Sequence, residues 1–312
     1  MTPFTLVTVR QLFARVAGTV MLALFAAGAQ AQPISAEDSA FYVAINIEAM
    51  RDGSASAPLY NFIDQEILEE LRDEFGNDAV NAIDGISIFG TGERQTPVVL
   101  LHGDIPQAAR DRFVDGLFKN KKDVELLTRH GRNYFAFGDI QLDWDGVESE
   151  GDHDPLLLAF GDRGQTMITP YPEAMSEFLR KGFVPDVVMA EDLMVLKADR
   201  ALAQGGLNNR HTVFSGSGGA WESELFKKVD RIGLVLADDA EALRITVEAH
   251  SASSELAEAL GNIVKGIVSL KALSSEAADK LKWLDTLQIN SDDRITRLDA
   301  LVPAGALAEI LD

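Results

Sequence analysis

Ile83–Gly90 reads IDGISIFG, and after the turn chemistry of Gly92-Glu93-Arg94-Gln95 comes Pro97–Gly103, PVVLLHG. Both runs are rich in β-branched residues and bounded by Gly or Pro, the pattern of two strands joined by a turn. Ile105–Leu117 changes period. Ala108, Ala109, Phe113, Val114 and Leu117 recur at three- and four-residue spacing, which puts them on one face of a helix. Val124–Arg129 and Asn133–Phe137 then flank His130-Gly131-Arg132 as a second hairpin. The order is β-β-α-β-β.

That order returns near the C-terminus. Val229–Ala237 (VDRIGLVLA) and Leu243–His250 (LRITVEAH) read as strands around the turn Asp238-Asp239-Ala240-Glu241. Ser254–Leu270 reads as a helix with Leu256, Leu260, Ile263, Val264 and Ile267 on one face, and Asp279–Asp285 as helix again. Leu287–Asn290 and Ile295–Val302 form a hairpin around Ser291-Asp292-Asp293-Arg294. Laid over one another, IDGISIFG meets VDRIGLVLA and PVVLLHG meets ITVEAHS, so His102 falls opposite His250. A strand and a helix precede each block. These are Phe41–Ile47 (FYVAINI) with a helix over Pro58–Phe75, and Leu193–Asp199 (LMVLKAD) with Trp221–Val229.

The chain therefore reads as a duplication. The expected fold is α+β, with two related halves of β-α-β-β-α-β-β order, each a mainly antiparallel sheet with packed helices. The first half spans 32–184 and includes a connecting hairpin, Pro155–Gly161 and Gln165–Thr169, and a helix, Pro172–Lys181, capped by Gly182. The second half spans 185–312.

Residues 1–31 read as an export signal. They hold no Asp or Glu, carry Arg10 and Arg15, contain the apolar run Val16–Ala27, and end in Ala29-Gln30-Ala31, whose small residues suit signal peptidase. An apolar run of 12 is short of the roughly 18–20 residues needed to span a bilayer. The expected product is periplasmic or secreted. The chain has 28 Lys+Arg against 49 Asp+Glu, a net charge of −21. Loss of Arg10 and Arg15 with the signal takes the mature chain to −23. Such a charge opposes binding to nucleic acid and to anionic membrane surfaces. With no Cys there is no disulfide, thiolate metal site, thioether-bound haem or acyl anchor, so packing alone must hold the fold. No further apolar run approaches spanning length.

The chemistry legible along the chain is sparse. The acidic stretch carries Asp143, Asp145, Asp152 and Asp154, oxygen ligands of the kind Ca²⁺ takes, although the EF-hand spacing is absent. The competing reading is a solvated loop. Ser215-Gly216-Ser217-Gly218-Gly219 is Gly-rich but has no Lys following as a phosphate loop requires. Gly85-Ile86-Ser87-Ile88-Phe89 begins like a nucleophile elbow, but Phe89 stands where Gly is needed and Ser87 lies within a strand. No two of the five His have metal-ligand spacing. His102 and His250 end equivalent strands, so symmetric packing of the halves would bring them to a shared inter-half site. The plainer alternative is a pair of solvent-facing strand ends.

The layout, opening on Phe41–Ile47 and closing over Arg231–Leu311 with a meander, a helix, a hairpin and a short helix, resembles uncharacterised exported bacterial proteins built from two α+β halves. The resemblance covers most of the mature chain in pattern and implies no activity. The expectation is a non-catalytic binding or envelope-associated protein without a cofactor, its partner an unidentified protein or small molecule. The alternative is an exported hydrolase, calcium-assisted through the acidic stretch.

Overall fold

The chain forms two compact units in the computed structural model, which describes residues 39–69, 71–72, 76–90, 98–120, 124–137, 156–184, 191–199, 229–272 and 282–311. One unit is Ile63–Met189; the other joins Ala40–Phe62 to Ala190–Asp312. The fold is α+β with antiparallel sheets, as the residue pattern requires.

In the first unit a π-helical turn, Asp64–Leu68, and a short helix α3 (Asn77–Asn81) lead to β2 (Gly85–Gly90) and β3 (Val98–His102). Helix α4 (Gln107–Asn120), β4 (Val124–Arg129), β5 (Arg132–Phe137), β6 (Leu156–Phe160), β7 (Gln165–Thr169) and α5 (Pro172–Lys181) follow. The strand order is β2-β3-β7-β6-β5-β4, every pair antiparallel. Ile86, Ile88, Val99 and Leu101 share one face and are buried. Phe113 of α4 meets Phe160 edge-on at 6.3 Å, and Arg110 lies 5.3 Å from the same ring. Helix α5 packs on β6 and β7. Gly182 ends it in the left-handed conformation that glycine tolerates best, its N–H donating to the Phe178 carbonyl.

The second unit opens with β1 (Phe41–Asn46), α1 (Ile47–Asp52) and α2, which begins at Ala57. Asn46 caps α1, its Oδ1 accepting from the Ala49 N–H at 2.9 Å. The unit continues with β8 (Met194–Asp199), β9 (Val229–Asp239), β10 (Ala242–Ser251), α6 (Ser254–Ala272), a 3₁₀ turn (Lys282–Thr286), β11 (Gln288–Asp292), β12 (Ile295–Pro303) and α7 (Ala304–Leu311). Its strand order is β1-β8-β9-β10-β12-β11, again antiparallel.

The first hairpins of the two blocks share a strand register. Gly85 pairs with His102, and Arg231 with His250. Ser87 pairs with Leu100, and Gly233 with Glu248. Two features depart from the sequence reading. The hairpin β6–β7, expected as a connector, is part of the first unit's sheet and separates β3 from β5, whereas the equivalent β10 and β12 pair directly. Strand β1 groups with the second unit rather than with residues 32–184, because it pairs with β8 from Phe41↔Ala198 to Ile45↔Met194.

Candidate functional site

Three places in the described residues carry chemistry worth weighing. The first is Ser87 and His102 on adjacent strands of the first unit. Gly85, not Ser87, is directly opposite His102, so the serine reaches the ring along the diagonal, with Oγ 2.9 Å from Nε2. Such a contact is the first requirement for a serine nucleophile and its base. The second requirement is access. Ser87 is 1% exposed and His102 8%. Burial also drives the His102 pKa down to about 4, because the cationic ring loses its hydration. The pair satisfies two polar groups inside a core, as buried polar groups demand. Sequence reading assigned Ser87 to a strand but did not join it to His102; the signal was their shared face in the two neighbouring strands.

The second place is the charged face of the second unit's sheet. A shallow groove of about 330 Å³ runs across β8, β9, β10 and β12, with Val195, Gly233 and Val235 in its floor and Lys197, Arg244 and Arg297 along it. Its cations are mostly engaged. Arg297 donates to Asp299 at 2.8 Å and to Glu248 at 3.2 Å, and Arg244 is tied to Asp239. The Asp299 carboxyl is held below its ordinary range chiefly by the Arg297 hydrogen bond. Thr246 adds a donated bond of 2.7 Å to Asp299. His250 lies on this face, half-buried, with Nε2 3.8 Å from Glu248. A face whose arginines are already paired offers little to an anion. His102 and His250, equivalent in register, thus occupy unlike surroundings in their own units: one sealed in a core, the other on an open ladder of charge.

The third place is the opposite face of the same sheet. Leu196, Leu234, Val247 and Leu298 stand in one continuous cross-strand row, and Met194, Leu236 and Ile245 in the next. All seven are only half-buried. Their counterparts in the first unit are not: Ile88, equivalent to Leu234, is 0% exposed, and Val99, equivalent to Val247, is 4% exposed. Helix α6 explains part of the contrast. It packs on β10, β11 and β12 and seals one end, where Val229, Ala249 and Leu260 form a buried cluster with Ile232 and Val264 against it. At the other end Ser56, fully buried, has its hydroxyl 3.3 Å from Asp238 Oδ2, and Ser54 donates to the Ala240 carbonyl at 2.9 Å. Between these two anchors the aliphatic rows stay half-buried.

Asp143, Asp145, Asp152 and Asp154 lie outside the described residues, as do the Ser215–Gly219 stretch and residues 1–38. Among the described residues no group of three or more His, Asp or Glu side chains is arranged to hold a metal ion. No helix among them is long and apolar enough to cross a membrane.

No protein-family model matches the chain, and no curated protein matches it. Among solved structures it is similar to TP0453 in crystal form III, with TM-score 0.49 and 11% identity over 90% of this chain and 98% of that one. It is also similar to TP0453 in crystal form IV, with TM-score 0.46 and 12% identity over 88% of this chain and 92% of that one.

Proposed function

We propose that this is an exported, non-catalytic binding protein of the periplasm or the secreted fraction, and that it binds through the aliphatic face of its second unit. The observation that carries the reading is the contrast in burial between equivalent positions: Leu234 and Val247 are half-buried where Ile88 and Val99 are sealed. A contiguous aliphatic surface left partly in water costs roughly 25 cal/mol per Å² relative to a covered one. Large exposed apolar patches mark places where something else binds. The occupant is a small molecule or a protein segment that presents apolar surface. The strongly acidic chain keeps the protein soluble while that face is open.

The alternative, an exported hydrolase, draws on one observation, the Ser87–His102 contact. Its burial argues against it, since a nucleophile needs a path for the substrate.

Nile red supplies the test. The native protein should bind the dye, with a blue-shifted rise in emission. Leu234→Asn and Val247→Asn should each weaken binding by about fivefold, the loss expected for exchanging one half-buried aliphatic side chain. Lys197→Glu, on the other face of the sheet, should leave binding unchanged. Native protein without dye binding, or variants that bind as the parent does, would overturn the assignment. Covalent labelling of Ser87 by a fluorophosphonate would instead overturn the non-catalytic reading and favour the hydrolase. A rise in melting temperature at millimolar calcium, abolished by neutralising Asp152 and Asp154, would add a metal to it.

A further inference from the structure

We infer that the outer edge of β4 is an interface between two copies of this chain, paired as antiparallel strands about a two-fold axis at Leu127. β4 ends the strand order of the first unit, with β5 as its neighbour on one side. The turn between them has two residues, His130 and Gly131, both with positive φ, so Arg129 and Arg132 form the closing hydrogen-bonded pair. Alternation along an antiparallel ladder then turns the N–H and C=O groups of Val124, Leu126 and Thr128 outward.

This edge also carries an exposed apolar patch. Of the three large hydrophobics that are exposed among the described residues, two are here: Phe118 at 48% and Leu126 at 49%. They belong to one patch, because the Phe118 ring lies 6.2 Å from that of Phe135, the residue paired with Leu126. Free edges with apolar side chains template pairing with another strand unless blunted by charge, proline or cover.

The sequence of the strand says what pairs with it. Glu125 and Arg129 stand two residues either side of Leu127 on the other face of β4, both exposed, and neither has an ion-pair partner among the described residues. Two β4 strands set antiparallel about Leu127 bring Leu127 opposite Leu127 of the second copy. They also bring Glu125 opposite Arg129 of the second copy, twice. These are non-hydrogen-bonded pairs, where facing side chains come closest. In the same register Leu126 meets Thr128 of the second copy through the outward backbone groups, and the two Leu126 side chains reach each other on the diagonal. An axis at Leu126 would set Glu125 against Leu127 and leave both charges unpaired. The ends of the strand complement each other in sign, which fits a second copy better than an unrelated extended segment. The net charge of −23 on the mature chain opposes association at long range, but at about 0.15 M salt it is screened beyond about 8 Å.

Sedimentation equilibrium of the full mature chain at about 0.15 M salt, over a hundredfold range of concentration, tests the inference. A reversible monomer–dimer equilibrium is expected. Glu125→Arg and Arg129→Glu should each weaken it by about tenfold, since each places like charges opposite one another twice. The double variant should return to within about threefold of the parent, because the pairs are restored in reverse. Leu126→Pro removes an outward N–H that the β4–β5 hairpin does not use, so the monomer should keep its circular dichroism while the dimer is lost. A chain that stays monomeric throughout, or a dimer indifferent to Leu126→Pro, would overturn the inference. So would single charge reversals that the double variant does not rescue.

Discussion

Ser87 Oγ stands 2.9 Å from His102 Nε2, with both side chains buried on one face of adjacent strands of the first unit. A buried serine–histidine contact has a consequence for stability whether or not it has one for chemistry. In the folded state the His102 pKa is about 4; in the unfolded chain it returns to about 6.5. Between those values the unfolded chain binds the extra proton, so stability rises with pH across that window. The contribution is fully present above about pH 6.5, falls as the pH drops, and is lost by about pH 4. Its full size is up to roughly 3 kcal/mol, the free-energy equivalent of the shift. Urea unfolding at pH 7.0 and 4.5 measures it. His102→Gln keeps a hydrogen-bonding group near Ser87 and does not titrate. Its stability should fall by about 2 kcal/mol less than the parent's over that interval.

Beside that pair the backbone allows no side chain. Gly103 has φ +142°, and a Cβ there would lie 1.8 Å from the Ala82 carbonyl oxygen and 2.9 Å from the Ile83 Cα. Both are backbone atoms, so relief requires moving the segment that leads into β2. Gly103→Ala should destabilise the protein by roughly 3 kcal/mol or more. Gly131 is the control. It also has positive φ, but a Cβ would meet nothing within 4 Å. Gly131→Ala should cost only the left-handed backbone penalty, about 1 kcal/mol. Chemical denaturation of the two variants gives the comparison directly.

Ala240 offers the reverse case. It takes φ +59° in the two-residue turn between Asp239 and Ala242, a conformation in which its Cβ crowds the following carbonyl. Its own carbonyl accepts from Ser54 Oγ, a bond that glycine would keep. Ala240→Gly should therefore stabilise the protein by about 0.5–1 kcal/mol, the relieved strain exceeding the added freedom of the unfolded chain. A melting temperature at or below the parent's would show that the turn carries no such strain.

These sites differ in how far the sequence announces them. Strands β2, β3, β9 and β10 are legible because β-branched runs bounded by turn residues have few other uses, and overlaying them even yields the register of His102 and His250. The helix that begins at Ala57 is legible as a period, but the π-helical turn at Asp64–Leu68 that follows it is not, since Ile67 and Leu68 are as apolar as an α-helix would want. The insertion of β6–β7 into the first sheet was hidden for another reason. Hairpins look alike in sequence wherever they dock, and only the partner of His102, which is Gln165, reveals the place. The Ser87–His102 contact depended on two strands sharing a face, which the sequence supplied, and on the diagonal between them, which it did not.

The contrast between Ile88 and Leu234 separates the core of one unit from the surface of the other. Both are aliphatic strand residues, and the overlay of the two blocks makes them equivalent. Ile88 is wholly buried, so Ile88→Ala removes a side chain from a closed space and leaves a cavity behind; about 2–5 kcal/mol is the usual cost. Leu234 is half-buried and its neighbours Leu196 and Val247 are half-buried too, so water can fill the space that Leu234→Ala opens. About 1 kcal/mol is expected there, from the lost apolar contact alone. Urea denaturation of the two variants, with unchanged m-values, gives the numbers. If Leu234→Ala costs as much as Ile88→Ala, the aliphatic face of the second unit is closed in solution and cannot be where a ligand binds. If it costs little, the methyl groups of Leu234 are spare to the fold, and their place on the surface of an otherwise strongly acidic chain belongs to binding.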